Sequence, residues 1–191
     1  MIKKCGEAGL YKSKARQLSS QYYSLIEVGG AYAHIFCPFL EFLGIPTLII
    51  TDIDSIADTQ KRAYVSSGTQ SPNATIKWWV RRALSMKDKE SVSLSNITSL
   101  TEMQKTHGIC RIEYQTEEDS LCGRSLEESI INVNRTLFGV KKNPTEADID
   151  FSNMKKTDFA LKLLLENSDY IVPAYIRNGL CWLDEQKVLG K

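Results

Sequence analysis

The sequence predicts an α/β fold, a parallel sheet flanked by helices. TLIITDID (47–54) is an apolar, strand-like run that ends in two aspartates, and QYYSLIEVGG (21–30) is a second such run that ends in a glycine turn. Between them, AYAHIFCPFLEFLGIP places Phe36, Phe39, Leu40 and Leu43 at helical spacing. Strand, helix, strand in this order is a right-handed crossover, the unit of a parallel sheet.

The remaining elements follow in order. Residues 1–20 are polar and basic, an N-terminal helix or linker. In the helix after the first run, Pro38 falls in the first turn, and Gly44 with Pro46 stops it. Residues 55–75 are polar and read as a long loop, a length that in compact domains often marks function. IKWWVRRALSM predicts a helix, and KDKESVSLSNITSLTEMQKTHG is helical in its second half. ICRIEYQT alternates apolar and polar residues and predicts a third strand. A helix starts near Ser125, and KKTDFALKLLLEN forms another with Phe159, Leu163 and Leu164 inward. The C-terminal segment, 170–191, carries a last helix that packs by Tyr175, Leu180 and Trp182. All 191 residues are read as one domain.

Composition narrows the function classes. A formal net charge of +1 gives no global field toward nucleic acid or membrane, so such binding would rest on local patches. The five cysteines are scattered and lack CxxC spacing, which reads as reduced thiols in a cytoplasmic chain without a zinc site. No stretch approaches the ~20 apolar residues that span a bilayer.

The chemistry concentrates at Asp52 and Asp54. Residues two apart on a strand face the same way, and two carboxylates at close quarters repel unless a proton or cation lies between them. Ligands of open parallel sheets bind beyond the carboxyl ends of the strands, and oxygen-only ligands favour Mg²⁺ or Mn²⁺. The alternative is a solvated turn after a core strand. Glu127 and Glu128 open the helix after the third strand, where acids also serve the helix dipole. Lys155 and Lys156 open the next helix against that dipole, and an ammonium there suits a scissile phosphate. Trp78 and Trp79 beside Lys77, Arg81 and Arg82 suit base stacking with phosphate contact, or equally a core face with a wet basic side. His34 reads as a capping or packing residue, with catalytic base as the other candidate role.

Taken together, IEVGGAYAH, FLEFLGIPTLIITDIDS, NATIKWW, YQTEEDSLCGRSLEESI and KKTDFAL resemble, in order, the Toprim domain of OLD-family (overcoming lysogenization defect) ATP-dependent endonucleases, from about residue 20 to 183. The resemblance implies a two-metal site that cleaves DNA in phage defence. Asp52, Asp54 and Glu127, with Glu128 as its neighbour, would hold Mg²⁺ or Mn²⁺, and Lys156 would neutralise charge at the phosphate. Arg124, in the same segment, joins the DNA-binding candidates. In the family a further strand carries a metal-binding glutamate. Glu27 is a candidate for it, but its position one crossover before D-x-D matches the second strand. The first strand, its glutamate and an ABC-type ATPase domain are then expected upstream of Met1, and the chain by itself is expected to fold with at most weak activity.

Two other classes stay open. LIITDIDSI is similar to the D-x-D-x-[TV] motif of haloacid-dehalogenase phosphatases, with Asp52 as nucleophile, although no later strand-end acid pair completes it. A non-catalytic docking or dimerisation module would use an exposed sheet edge or the Trp78/Trp79 face, as a homodimer for example.

Overall fold

The computed structural model describes residues 1–11, 18, 21–28, 31–166 and 169–186. Its centre is a three-stranded sheet. β1 (Thr47–Ile50) pairs in parallel with β3 (Cys110–Glu113), Thr47 opposite Cys110 and Ile50 opposite Glu113. β2 (Thr106–His107) turns through Gly108 and Ile109 to pair antiparallel with β3, giving the order β1-β3-β2.

Helices cover both faces, so the predicted α/β layering is present. On one side lie α2 (Cys37–Leu43), α3 (Ala74–Ala83) and α4 (Leu94–Thr98), packed with Ile49, Cys110, Ile112 and Tyr114. On the other lie α1 (Ile2–Glu7), α5 (Leu126–Val133), α6 (Lys156–Leu161) and α7 (Ala174–Glu185), sharing a core around Ile130, Phe159, Tyr175 and Ile176. The stops read from sequence hold at α2, where Gly44 adopts the left-handed conformation (φ +67) that a residue with a Cβ avoids. Asn73, Ser93 and Ser125 cap α3, α4 and α5 through their side chains.

The α7 face of the sheet is unusual in its polarity. Arg111, Glu113 and Gln115 alternate along β3 and its extension, and all three are buried. Glu113 is paired by Arg111 and by Lys105 Nζ at 3.3 Å, and Glu102 closes the network from outside. Charges taken out of water in this way need every partner in place. Gly179 lets α7 approach closely, since a Cβ there would stand 2.9 Å from Glu113 Cγ and 2.8 Å from Leu48 Cδ1.

Four expectations are corrected. The helix expected in the second half of residues 87–108 lies earlier, as α4 set by its Ser93 cap, and the second half holds turns and β2. Residues 21–28 form no strand: the stretch is irregular, and Tyr22, Leu25 and Ile26 are exposed. The parallel partner of β1 is β3, reached through α3 and α4, and not this segment. A strand persists only with a ladder partner, and among the described residues the outer edge of β1 is unpaired. The glycine turn at 29–30 lies outside the described residues. Leu164 points to water, 73% exposed, because a π-turn over Lys162–Glu166 follows α6 and shifts the helical register. The loop between Asp54 and α3 is ordered by bridges from Ile56 to Arg62 and to Gln70. Among the described residues no helix is long and apolar enough to cross a membrane.

Candidate metal centre

The β1 ladder runs one residue past the strand, with Thr51 N–H donating to Glu113 O at 3.0 Å. The chain then turns. Ile53 enters the core fully buried, while Asp52 and Asp54 line one cavity of about 460 Å³ with Thr51, Asn73 and Leu126. Asp54 holds φ +50, a conformation aspartate tolerates better than most residues, and its N–H donates to Arg124 O at 3.0 Å. Asn73 fastens the turn from the other side. Its Nδ2 donates to Thr51 Oγ1 at 2.7 Å and to Asp52 O at 3.0 Å while its Oδ1 caps α3.

Asp52 is the most constrained of the acids. Its Oδ1 accepts from Leu126 N–H, at the start of α5, at 3.0 Å and from the Gln115 side-chain amide. Burial pushes its carboxyl up to about 6; the Gln115 hydrogen bond opposes this, and the charges of Asp54 and Glu127 add to it. Lys156, at the first position of α6, lies 3.1 Å from Glu127 Oε1 and is held above the usual lysine range by that hydrogen bond. The second oxygen of Glu127, Oε2, is buried without a partner. Asp52, Asp54, Glu127 and Lys156 are thus electrostatic neighbours.

Arg124 and Glu128 frame this group. Arg124 Nη2 lies 3.8 Å from Asp54 Oδ1 and donates to Ser55 O at 3.3 Å. Glu128 accepts from Arg124 N–H at 2.9 Å and pairs with Arg62 Nη2 at 2.6 Å, and Arg62 also reaches Asp150 at 2.6 Å. Glu128 therefore ties the loop to α5 and does not line the cavity. Arg62, Asn73 and Gln115 are missed by sequence reasoning. The N-cap position of Asn73 ahead of IKWW was a usable signal; Arg62 and Gln115 carried none.

Other candidates lie elsewhere. Glu27 is exposed on the irregular stretch 21–28 and does not line the cavity. His34 packs against Trp78 at 5.7 Å and against Thr75 Oγ1 at 3.1 Å, with its imidazole lowered by burial, the packing role. Trp79 is core and donates to Gln104 O; Trp78 is covered by His34 and by Arg82. Arg81 donates to Glu90 O and Arg82 to His107. Both sit at the far end of α3 from Asn73, roughly 13 Å away at 1.5 Å per residue. Lys77, one turn into α3, does not line the cavity.

The donor chemistry fits a hard divalent cation. It is all oxygen, it includes an orphaned buried carboxylate oxygen, and it holds Asp52 against its own charge, which a cation would relieve. Among the described residues no three acids, histidines or cysteines form a metal-holding group. An ion here would draw its other ligands from water and substrate, as magnesium commonly does.

Residues 8–54 match the model of the family described as overcoming lysogenization defect protein-like, TOPRIM domain. The chain is 25% identical over 203 residues to Endonuclease GajA of Bacillus cereus (strain HuB5-5), covering 91% of this chain and 29% of that protein. The chain thus spans under a third of the relative's length. No solved structure matches it. The acids gathered beyond the carboxyl end of β1 in a helix-flanked sheet thus lie in and beside the segment, residues 8–54, that is similar to an OLD-like Toprim domain.

Proposed function

We propose that the chain is the catalytic domain of a metal-dependent DNA endonuclease that hydrolyses phosphodiesters with Mg²⁺ or Mn²⁺. The observation that carries this is a cavity lined by Asp52 and Asp54 beyond the end of β1, with the Glu127–Lys156 ion pair as their electrostatic neighbour. The matched family and the endonuclease relative support the same reading. Asp52 and Asp54 would hold the ion from the D-x-D turn, and Glu127 would reach it through one of the ion's waters by its unpartnered Oε2. When bound, the cation activates water and offsets charge on the phosphate. Lys156, 76% exposed, is free to meet a DNA backbone while its ammonium stays beside Glu127. Arg124, anchored on Ser55 O, offers a second cation to the same strand.

Mn²⁺ titration of the chain and of Asp52→Ala by calorimetry, with supercoiled-plasmid nicking alongside, tests the reading. Binding that disappears with Asp52, together with weak nicking, is expected. An intact chain that neither binds Mn²⁺ nor nicks refutes it.

A second reading has its own observation. Phe36, Phe39, Phe42 and Leu43 on and beside α2 are exposed, Phe42 to 86%. Such a patch suits a homodimer contact. Sedimentation that reports a concentration-dependent dimer, unaltered by Mg²⁺ and lost in Phe42→Lys, supports docking through this face; a monomer at all concentrations removes it.

A further inference from the structure

Asp52 is gripped by a residue to which no role has been attached. Gln115 lies two residues past β3, 1% exposed, and it does not line the cavity. Its Oε1 accepts from Ile53 N–H at 2.8 Å, which fixes the amide's orientation and turns Nε2 toward Asp52 Oδ1. Tyr175 OH backs the same nitrogen at 3.4 Å from α7. One neutral side chain therefore holds both the backbone and the first carboxylate of the D-x-D turn.

We infer that Gln115 is a positioning residue for the cation site. With Leu126 N–H it commits Oδ1 of Asp52 to protein donors and leaves Oδ2 as the oxygen offered to a cation. A neutral donor suits this task, because a lysine or arginine in its place would neutralise the charge the cation needs. The polar row on β3 illustrates the contrast: Glu113, one step back on the same face, is paired by Arg111 and Lys105, whereas Asp52 is hydrogen-bonded by neutral donors, Gln115 and Leu126 N–H. The carboxylate cannot swing away without breaking two hydrogen bonds that also define the turn. The inference rests on the metal-dependent reading above.

The test uses the full chain and Mn²⁺ as probe. Gln115→Met keeps the volume and removes both hydrogen bonds, and Tyr175→Phe touches Gln115 without touching Asp52. Partners that orient metal ligands typically contribute about 10–100-fold in affinity, so Gln115→Met should bind Mn²⁺ that much more weakly, and Tyr175→Phe within about twofold of wild type. Near-ultraviolet circular dichroism without metal checks that each variant is folded. In parallel, the Gln115 side-chain amide of the metal-free wild type should give a solvent-protected NMR resonance that moves in Asp52→Ala. That second readout stands even where Gln115→Met does not fold. A folded Gln115→Met chain with wild-type Mn²⁺ affinity overturns the inference, and so does an amide resonance indifferent to Asp52. A wild-type chain that takes up no Mn²⁺ overturns the metal reading and this role with it; an amide still coupled to Asp52 tells that outcome apart from a misplaced Gln115.

Discussion

Replacing Asp52 by asparagine should stabilise the metal-free fold at neutral pH. The folded state holds the Asp52 carboxyl at about 6, against an ordinary value of 3.8. Between those values the folded state binds more protons than the unfolded chain, so stability is fullest below about pH 4 and falls as pH rises through about 6. At 1.36 kcal/mol for each tenfold, the gap is worth about 3 kcal/mol, and water in the cavity trims this to about 1–2 kcal/mol. Asparagine retains an oxygen for Gln115 and for Leu126 N–H, so the hydrogen bonds that fix the turn survive. Glu113, Glu118 and Glu128 are also raised by burial, but they titrate alike in both proteins and cancel in the difference. Urea unfolding in EDTA, followed by the fluorescence of buried Trp79, measures it. Asp52→Asn is expected to exceed wild type by about 1–2 kcal/mol near pH 8 and to match it near pH 4. Mg²⁺ should reverse the order by stabilising only the wild type. An asparagine variant no more stable than wild type near pH 8 in EDTA would refute the claim that Asp52 is held against its charge.

Gly123→Ala should destabilise strongly, since a Cβ there would stand 2.7 Å from Ser129 N and 2.9 Å from Glu128 C, both backbone atoms that cannot yield. A loss of about 2–3 kcal/mol lowers the melting temperature by roughly 4–12 °C, readable by thermal circular dichroism. Gly179→Ala sets its Cβ against Leu48 and against Glu113 Cγ, whose carboxylate is pinned by Arg111 and Lys105, so despite the gain in helix propensity a loss of about 1–3 kcal/mol is expected in the same assay. Lys156→Met should lower plasmid nicking about 10²–10³-fold while leaving Mn²⁺ affinity intact or tighter, because the ammonium competes with a cation for Glu127.

Much of the fold was legible because its signals are local. The apolar run of β1, the glycine stop of α2 and the serine cap of α5 each depend on a few neighbouring residues, and each appears where the sequence places it. The stretch 21–28 had an equally strong local signal and forms no strand. Strand propensity is a preference for a pleated, half-buried surface, and it is realised only when a ladder and a covering layer are supplied. Tyr22, Leu25 and Ile26 have neither among the described residues, so the same side chains that argued for a strand are left in water.

The site divides along the same line. Asp52 and Asp54 were legible because a strand end announces them, and Glu127 and Lys156 because they open helices. Gln115 was hidden by its own pattern. In ICRIEYQT, Arg111, Glu113 and Gln115 alternate with apolar residues, and alternation of that kind ordinarily marks a wet face. Here α7 closes over that face at Gly179, a tertiary fact that no local window contains. Once buried, each polar group must find a partner: Glu113 takes two cations, and Gln115 takes a backbone amide and Asp52. The burial that conceals Gln115 from sequence reading is thus what makes it able to hold the acid, because an exposed amide would exchange Asp52 for water. Residues that bear the charge of this site are found by motif, and those that aim it are found only through packing.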